Sequence, residues 1–219
     1  MHPHQHHEIF EIEVLGLLNK GGLLRSLVFG GGTALRLCHE LPRYSVGLDF
    51  WFSKKIDVPI FYRKLLEFLK KNYAISDTKN KHYTLLYEFK GKTSDRSLKL
   101  EIRKDVVKDA VEEKIAYSKY ASAQVLVKAF TLESMLQRKQ EAAKDRTEIR
   151  DFFDLEFLLR KGQRLLLRAE DKAILKKKIE AFKLTDYSVA LGALLESDLR
   201  QYYIKEKFKF LLENITASA

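Results

Sequence analysis

The chain has 219 residues, 46% of them hydrophobic and 32% charged, with a formal net charge of +10. That length and balance suit one large domain or two small ones and exclude a disordered chain. There is no apolar run of about 18 residues and no signal-peptide pattern, so no membrane segment is expected. The single cysteine, Cys38, excludes an internal disulfide and suits a reducing cytoplasm.

The opening MHPHQHH holds four of the six histidines and reads as a disordered or tag-like terminus without a function. Residues 9–19 have amphipathic helical spacing, stopped by Gly21 and Gly22. A short strand over 26–29 leads into Gly30-Gly31-Gly32, and a helix follows over 33–40 with Thr33 as its N-cap. Pro42 breaks that helix, 48–52 reads as a strand, and helical spacing returns over 59–72. In HYTLLYEF, Tyr83, Leu85, Tyr87 and Phe89 alternate onto one face of a strand. In SLKLEIR, Leu98, Leu100 and Ile102 face one way, and Lys99, Glu101 and Arg103 the other. A weaker strand covers 124–128.

From Thr131 onward the pattern is helical: 131–145, then 148–160 closed by Gly162, then about 170–182 and 186–213. Strands with interspersed helices give way to helices alone, so the expected class is α+β. The expected division is an α/β core over 1–129 and a helical domain over 130–219 packed against it. The basic excess is spread over both halves of the chain. It favours polyanions such as RNA, DNA or nucleotides, and an inert basic surface is the equal alternative.

Two constellations carry chemistry. A glycine turn between a strand and a helix lets backbone N–H groups approach phosphate oxygens, although Gly30-Gly31-Gly32 alone could be only a tight turn. It lacks the Gly-Lys-Ser/Thr of a Walker A loop and the setting of a dinucleotide fingerprint. Asp49 lies beyond it within an apolar and aromatic run. Period two places Gly47, Asp49 and Trp51 on one face, so an aspartate at position 47 would complete a paired-carboxylate site for magnesium. Glu101, on the polar face of its own strand, is the third candidate acid, against the reading of a surface acid between Lys99 and Arg103. The second constellation is TLESMLQRKQEAAKDRTEIRDFFDLEFLL. Lys139 lies mid-helix, Arg150 and Asp151 precede an apolar run, and Asp154 shares a face with Asp151. Two solvated helices with ordinary ion pairs would read the same way.

Together these stretches resemble the AbiEii/AbiGii-type toxin branch of the polymerase-β-like nucleotidyltransferases. The first resemblance lies in Gly31-Gly32-Thr33-Ala34-Leu35 and then Arg43, Ser45, Gly47, Leu48, Asp49 and Phe50. The second lies in Glu133, Leu136 and Lys139, followed by Arg150, Asp151, Asp154 and Leu155. The resemblance implies a mixed sheet with flanking helices and transfer of a nucleotidyl group from an NTP to an acceptor, tRNA among the candidates. It implies Mg²⁺ held by Asp49 and Glu101, with Glu101 alternatively the base. Phosphate-binding roles fall to Gly31, Gly32, Thr33, Arg43, Ser45 and Lys139, Asp154 completes the site, and an antitoxin protein is the implied partner.

The departure is Gly47, which stands where the family's first metal-binding aspartate falls. Three explanations are open: a naturally inactive member, a disarmed version of a harmful enzyme, or a site in which Asp49 and Glu101 suffice. The poor fit of glycine in a strand favours the second. A nucleotide- or RNA-binding module acting through a protein partner is the alternative function.

Overall fold

The structure is a computed structural model that describes residues 3–91 and 96–217. It divides into two compact units, one of Met1–Glu40 with Tyr44–Thr131 and the other of Leu41–Arg43 with Leu132–Ala219.

The first unit opens with α1 (Pro3–Lys20), a 3-10 turn over Leu23–Ser26, β1 (Leu27–Gly30), α2 (Gly31–His39), β2 (Leu48–Phe52) and α3 (Val58–Lys70). It continues through β3 (Ala74–Asn80), β4 (Thr84–Lys90), β5 (Leu98–Val106), β6 (Val111–Tyr117) and β7 (Gln124–Phe130). The strands form a seven-stranded sheet in the order β3-β4-β5-β2-β1-β7-β6. The β2–β5 and β1–β7 pairs are parallel and the others antiparallel, so the sheet is mixed. The class is α+β, as the sequence implies. Among the described residues no helix is long and apolar enough to cross a membrane.

Period two sets the core. Phe29, Leu48, Phe50, Phe52, Leu85, Tyr87, Phe89, Leu98, Leu100 and Ile102 are all buried. The helices cover that face: Phe10 of α1 meets Phe89 edge-on, Phe61 of α3 meets Phe52, and Tyr62 of α3 packs on Tyr87. The α3 helix starts cleanly because the Asp57 carboxylate accepts a hydrogen bond of 2.9 Å from the Ile60 N–H.

Several expectations are corrected. The histidine-rich opening is helical from Pro3, and His7 is buried at 4% exposure. It lies one turn before Glu11, on a helix whose other side chains at Phe10, Ile12, Val14, Leu15 and Leu18 supply ample apolar surface to bury. Burial, helped by Arg96 and His4, lowers the His7 pKa to about 4, which leaves the ring neutral near pH 7. Tyr83 precedes β4 and is exposed, because the chain is still turning from β3 there. The strands β3 and β6 were not anticipated. The register between β3 and β4 also shifts at Ile75/Asp77.

The second unit holds α4 (Leu132–Asp145), α5 (Ile149–Arg160), α6 (Ala169–Ala181), α7 (Ser197–Glu206) and α8 (Lys209–Ala217). Every residue of α5 from Asp151 to Leu159 is buried, so it is the central helix of this unit. The expected helix over 186–213 is instead broken into a π turn over Asp186–Leu191, a 3-10 turn over Gly192–Leu194, α7 and α8. Lys207, at φ 53, makes the last break. Glu156, buried in α5, accepts hydrogen bonds from the Tyr203 hydroxyl at 2.9 Å and the Leu211 N–H at 3.2 Å. Removing a buried acceptor of this kind leaves donors unsatisfied, so Glu156→Ala is expected to destabilise the chain by about 2–4 kcal/mol. Urea unfolding followed by circular dichroism measures the loss.

Candidate active site

The glycine turn and β2 meet at Asp49. Gly30 is the register partner of Asp49 across β1, and Glu101 is its partner across β5. In-register neighbours project to the same face of a sheet, so the two carboxylates stand side by side on strands about 4.8 Å apart. Glu101 keeps 26% side-chain exposure and pairs with Lys99 at 3.0 Å. Gly31 has φ 73, a conformation that side chains rarely adopt, and any Cβ there would collide with the Asp49 carboxylate. A Cβ at Gly30 would meet Trp51 at 2.6 Å and Phe130 at 2.9 Å. Both glycines are therefore required for close approach. The first-turn N–H groups of α2 have no intrahelical acceptors, and they place the positive helix end beside the Asp49 carboxylate.

The helix α2 begins at Gly31 with Gly30 as N-cap and no side-chain cap, so Thr33 is not the cap. Its buried hydroxyl reaches outward and donates to the Gly47 carbonyl at 2.6 Å. The Gly47 N–H in turn donates to Glu11 Oε1 at 3.1 Å. Gly47 lies before β2 and has φ 111, so it does not share the strand's alternation. The premise that a glycine fits poorly here is overturned: this backbone conformation suits glycine. A Cβ would also sit 3.0 Å from the Lys99 carbonyl oxygen. Ser45 is half-buried in the loop leading to this turn.

Glu11 went unnoticed in the sequence, where it looks like a polar residue on an amphipathic helix. Its 1% exposure makes it a buried acid. Burial is the largest influence on it, and Glu8 and Asp49 add to the rise while the Gly47 N–H and Arg36 oppose it; the net pKa is well above the ordinary carboxylate value. The sequence sign was its spacing from the apolar positions Val14, Leu15 and Leu18, which turns it inward.

In the second unit, charges converge on two acids of α5. Arg43 grips Asp154 with both Nε and Nη2 at 2.7 Å. Lys139 Nζ lies 2.6 Å from Asp154 and 3.0 Å from Asp151, and Arg146 Nε lies 2.7 Å from Asp151. Lys139 is only 14% exposed and Asp154 fully buried. Arg43, Lys139 and Asp154 are thus engaged with one another. Arg150, adjacent to Asp151 in sequence, points elsewhere and approaches Glu148 at 3.5 Å, while Arg146 takes Asp151. Helical geometry explains this: consecutive residues on α5 project about 100° apart. Burial works against ionisation of Asp154, but Arg43 and Lys139 together outweigh it and hold its pKa below the ordinary value; Asp151 is likewise depressed by Lys139 and Arg146.

Asp49 and Glu101 offer hard oxygen donors on one face, which suits a divalent cation shared with nucleotide phosphates. Gly47 adds no donor. Among the described residues no group of three or more His, Cys, Asp or Glu side chains could hold a metal ion.

Residues 15–217 match the family described as nucleotidyl transferase AbiEii toxin, type IV TA system. The chain belongs to this family. Two solved structures share the fold of this AbiEii member. A crystal structure described as a candidate nucleotidyltransferase from H. pylori matches with TM-score 0.57 and 21% identity, covering 95% of this chain and 96% of that one. JHP933 from Helicobacter pylori matches with TM-score 0.51 and 20% identity, covering 92% and 94%. No curated protein matches the AbiEii chain at a significant level.

Two measurements follow from the buried charges. Asp154→Asn removes the buried charge that Arg43 and Lys139 share and is expected to lower unfolding free energy by about 3–5 kcal/mol, read by urea titration. The depressed Asp151 and Asp154 stabilise above their unfolded pKa near 3.9 and lose that contribution as pH falls through their folded values, so acid should weaken the native protein more steeply than Asp154→Asn, which keeps only Asp151. Glu11 behaves oppositely. Its raised pKa means that stability falls as pH rises from about 4.3 toward its folded value. Glu11→Gln, which keeps an acceptor for the Gly47 N–H, is expected to raise Tm at pH 7.5 and to show no gain at pH 4. A gain independent of pH would contradict this.

Proposed function

We propose that the chain is a magnesium-dependent nucleotidyltransferase toxin of the cytoplasm, transferring a nucleotidyl group from an NTP to the end of an RNA, with tRNA the acceptor class and an antitoxin its regulating partner. The observation that supports it most is the in-register pair Asp49 and Glu101 beside the Gly31 turn. In the transfer, the acceptor hydroxyl oxygen bonds to the α-phosphorus, the α–β phosphoanhydride bond breaks and pyrophosphate leaves. The hydroxyl proton passes to Glu101. The N–H groups of Gly31, Gly32 and Thr33 supply donors for phosphate oxygens at the positive end of α2. Held by Asp49, magnesium would supply neutralising charge to the triphosphate and leave Glu101 as the base.

Lys139 is the cation expected to reach the phosphates in this family. The proposed division is a nucleotidyltransferase core over 1–129 and a helical domain over 130–219.

Gly47 withholds one carboxylate, and loss of one charge-stabilising group of this kind reduces such reactions by about 10²–10³-fold. Weak transfer is therefore the expected native activity. The φ of 111 and the nearby Lys99 carbonyl mean that Gly47→Asp strains the turn, so its gain in rate should come with a lower Tm. The same glycine geometry favours the second reading, a nucleotide- or RNA-binding module that acts through its protein partner.

Labelled NTPs, total tRNA and Mg²⁺ incubated with purified protein decide between them. Slow incorporation with at least one NTP, abolished by Asp49→Asn and by chelation, supports the enzyme. NTP binding without incorporation in native protein and Gly47→Asp alike supports the binding module. Absence of both Mg²⁺-dependent NTP binding and RNA binding overturns both.

A further inference from the structure

The face of the sheet opposite the helices carries more than the acid pair. Register places Trp51 opposite Arg103, and Arg103 opposite Thr84, in the row next to Asp49 and Glu101. In the acid row the neighbours continue through Leu86 to Lys79 on the edge strand, with Lys81 two residues on in the hairpin. Strand spacing puts Lys79 about 14 Å from Asp49. Trp51 is half-buried, with Phe130 against its ring edge at 5.1 Å between centroids, so one aromatic surface is held rigidly near the acids. Arg103, Lys79 and Lys81 are exposed. Arg103 makes no ion pair among the described residues, and Lys79 has only the solvent-exposed Asp77 at 2.8 Å. An exposed pair of that kind is weak and yields to a stronger anion.

A rigid aromatic followed by a line of cations is what a single-stranded nucleic acid recognises, with bases stacking and phosphates tracking the charges. A duplex would need a groove-shaped surface or a protruding helix, and this strip is a sheet face. We propose that Trp51, Arg103, Lys79 and Lys81 form the track for the single-stranded end of the acceptor RNA. The terminal base stacks on Trp51, and the preceding phosphates run past Arg103 toward the β3 edge. The assignment rests on the nucleotidyl-transfer reading only for the identity of the end that arrives at Asp49; the binding itself is independent of transfer.

Trp51 is the only tryptophan, so it reports directly. A labelled single-stranded RNA of about 10 nucleotides, within the usual span of such sites, is titrated by anisotropy while tryptophan emission is followed. RNA is expected to quench Trp51, and Trp51→Phe to abolish the quench while the anisotropy change remains. The double variant Lys79→Glu/Lys81→Glu, confined to exposed edge positions, should weaken RNA binding at least about tenfold and flatten the salt slope by about 1.4, at about 0.7 per lost phosphate contact. Its NTP affinity should be unchanged. Arg103→Glu should weaken RNA binding similarly. Native RNA affinity in the double variant, no quench of Trp51, or equal binding of duplex RNA overturns the track. RNA binding that behaves as described, with no nucleotidyl transfer, overturns the preceding reading and leaves the track standing.

Discussion

The start of α2 can lie against the Asp49 carboxylate only because Gly31 has no side chain and accepts a positive φ. From that approach the geometry of the first unit follows. The helix end faces an acid, the acid is in register with Glu101, and the turn before β2 is tied to the same helix by the Thr33 hydroxyl. Glu11 holds the other side of that turn. Both polar groups of the Gly47 backbone are thus bound by buried side chains of two helices, so the position of Asp49 is set by contacts around it rather than by the strand alone.

The buried carboxylates fall into two classes, set by their neighbours. Asp154 is compensated: a bidentate arginine and a lysine surround it. Such pairs contribute specificity more than net stability, because desolvation offsets much of their attraction. Among the described residues Glu11 has no comparable cation pressed against it; Arg36 pairs with Glu8 at 2.9 Å, and His7 stays 3.7 Å away. An acid kept in that condition is a stability cost, and proteins retain such costs mainly around functional sites. Its hydrogen bond to Gly47, next to the acid pair, places it where that expectation applies.

Much of the fold was legible because strong periodicity survives in the sequence. The strand β2 matches its expected span, and the alternation in β4 and β5 assigns their buried faces correctly from Leu85 and Leu98 onward. The edge strands were not legible. In β3 the sequence AISDTKN has little apolar content, and in β6 the apolar Val111 and Ile115 point outward while Glu112 and Lys114 are half-buried. Edge pairing depends on the neighbouring strand, which local pattern does not contain. In the site, Asp49 and Glu101 could be named from alternation, but their adjacency comes from β2 and β5 pairing across about 50 residues of chain. Gly47 was misjudged because its backbone angle, not its residue type, decides its role. Arg146 was missed for a similar reason: a loop folds it back onto Asp151, whereas Arg150 is its sequence neighbour.

The seven-stranded sheet ends in two strands with free backbone groups, and such margins invite other chains to add on. At one margin the register slip at Ile75/Asp77 and the charged Asp77 and Lys79 interrupt the straight, apolar template that addition requires. At the other, Glu112, Glu113 and Lys114 put charge on consecutive positions. These margins disfavour fibre-like stacking of one molecule on the next.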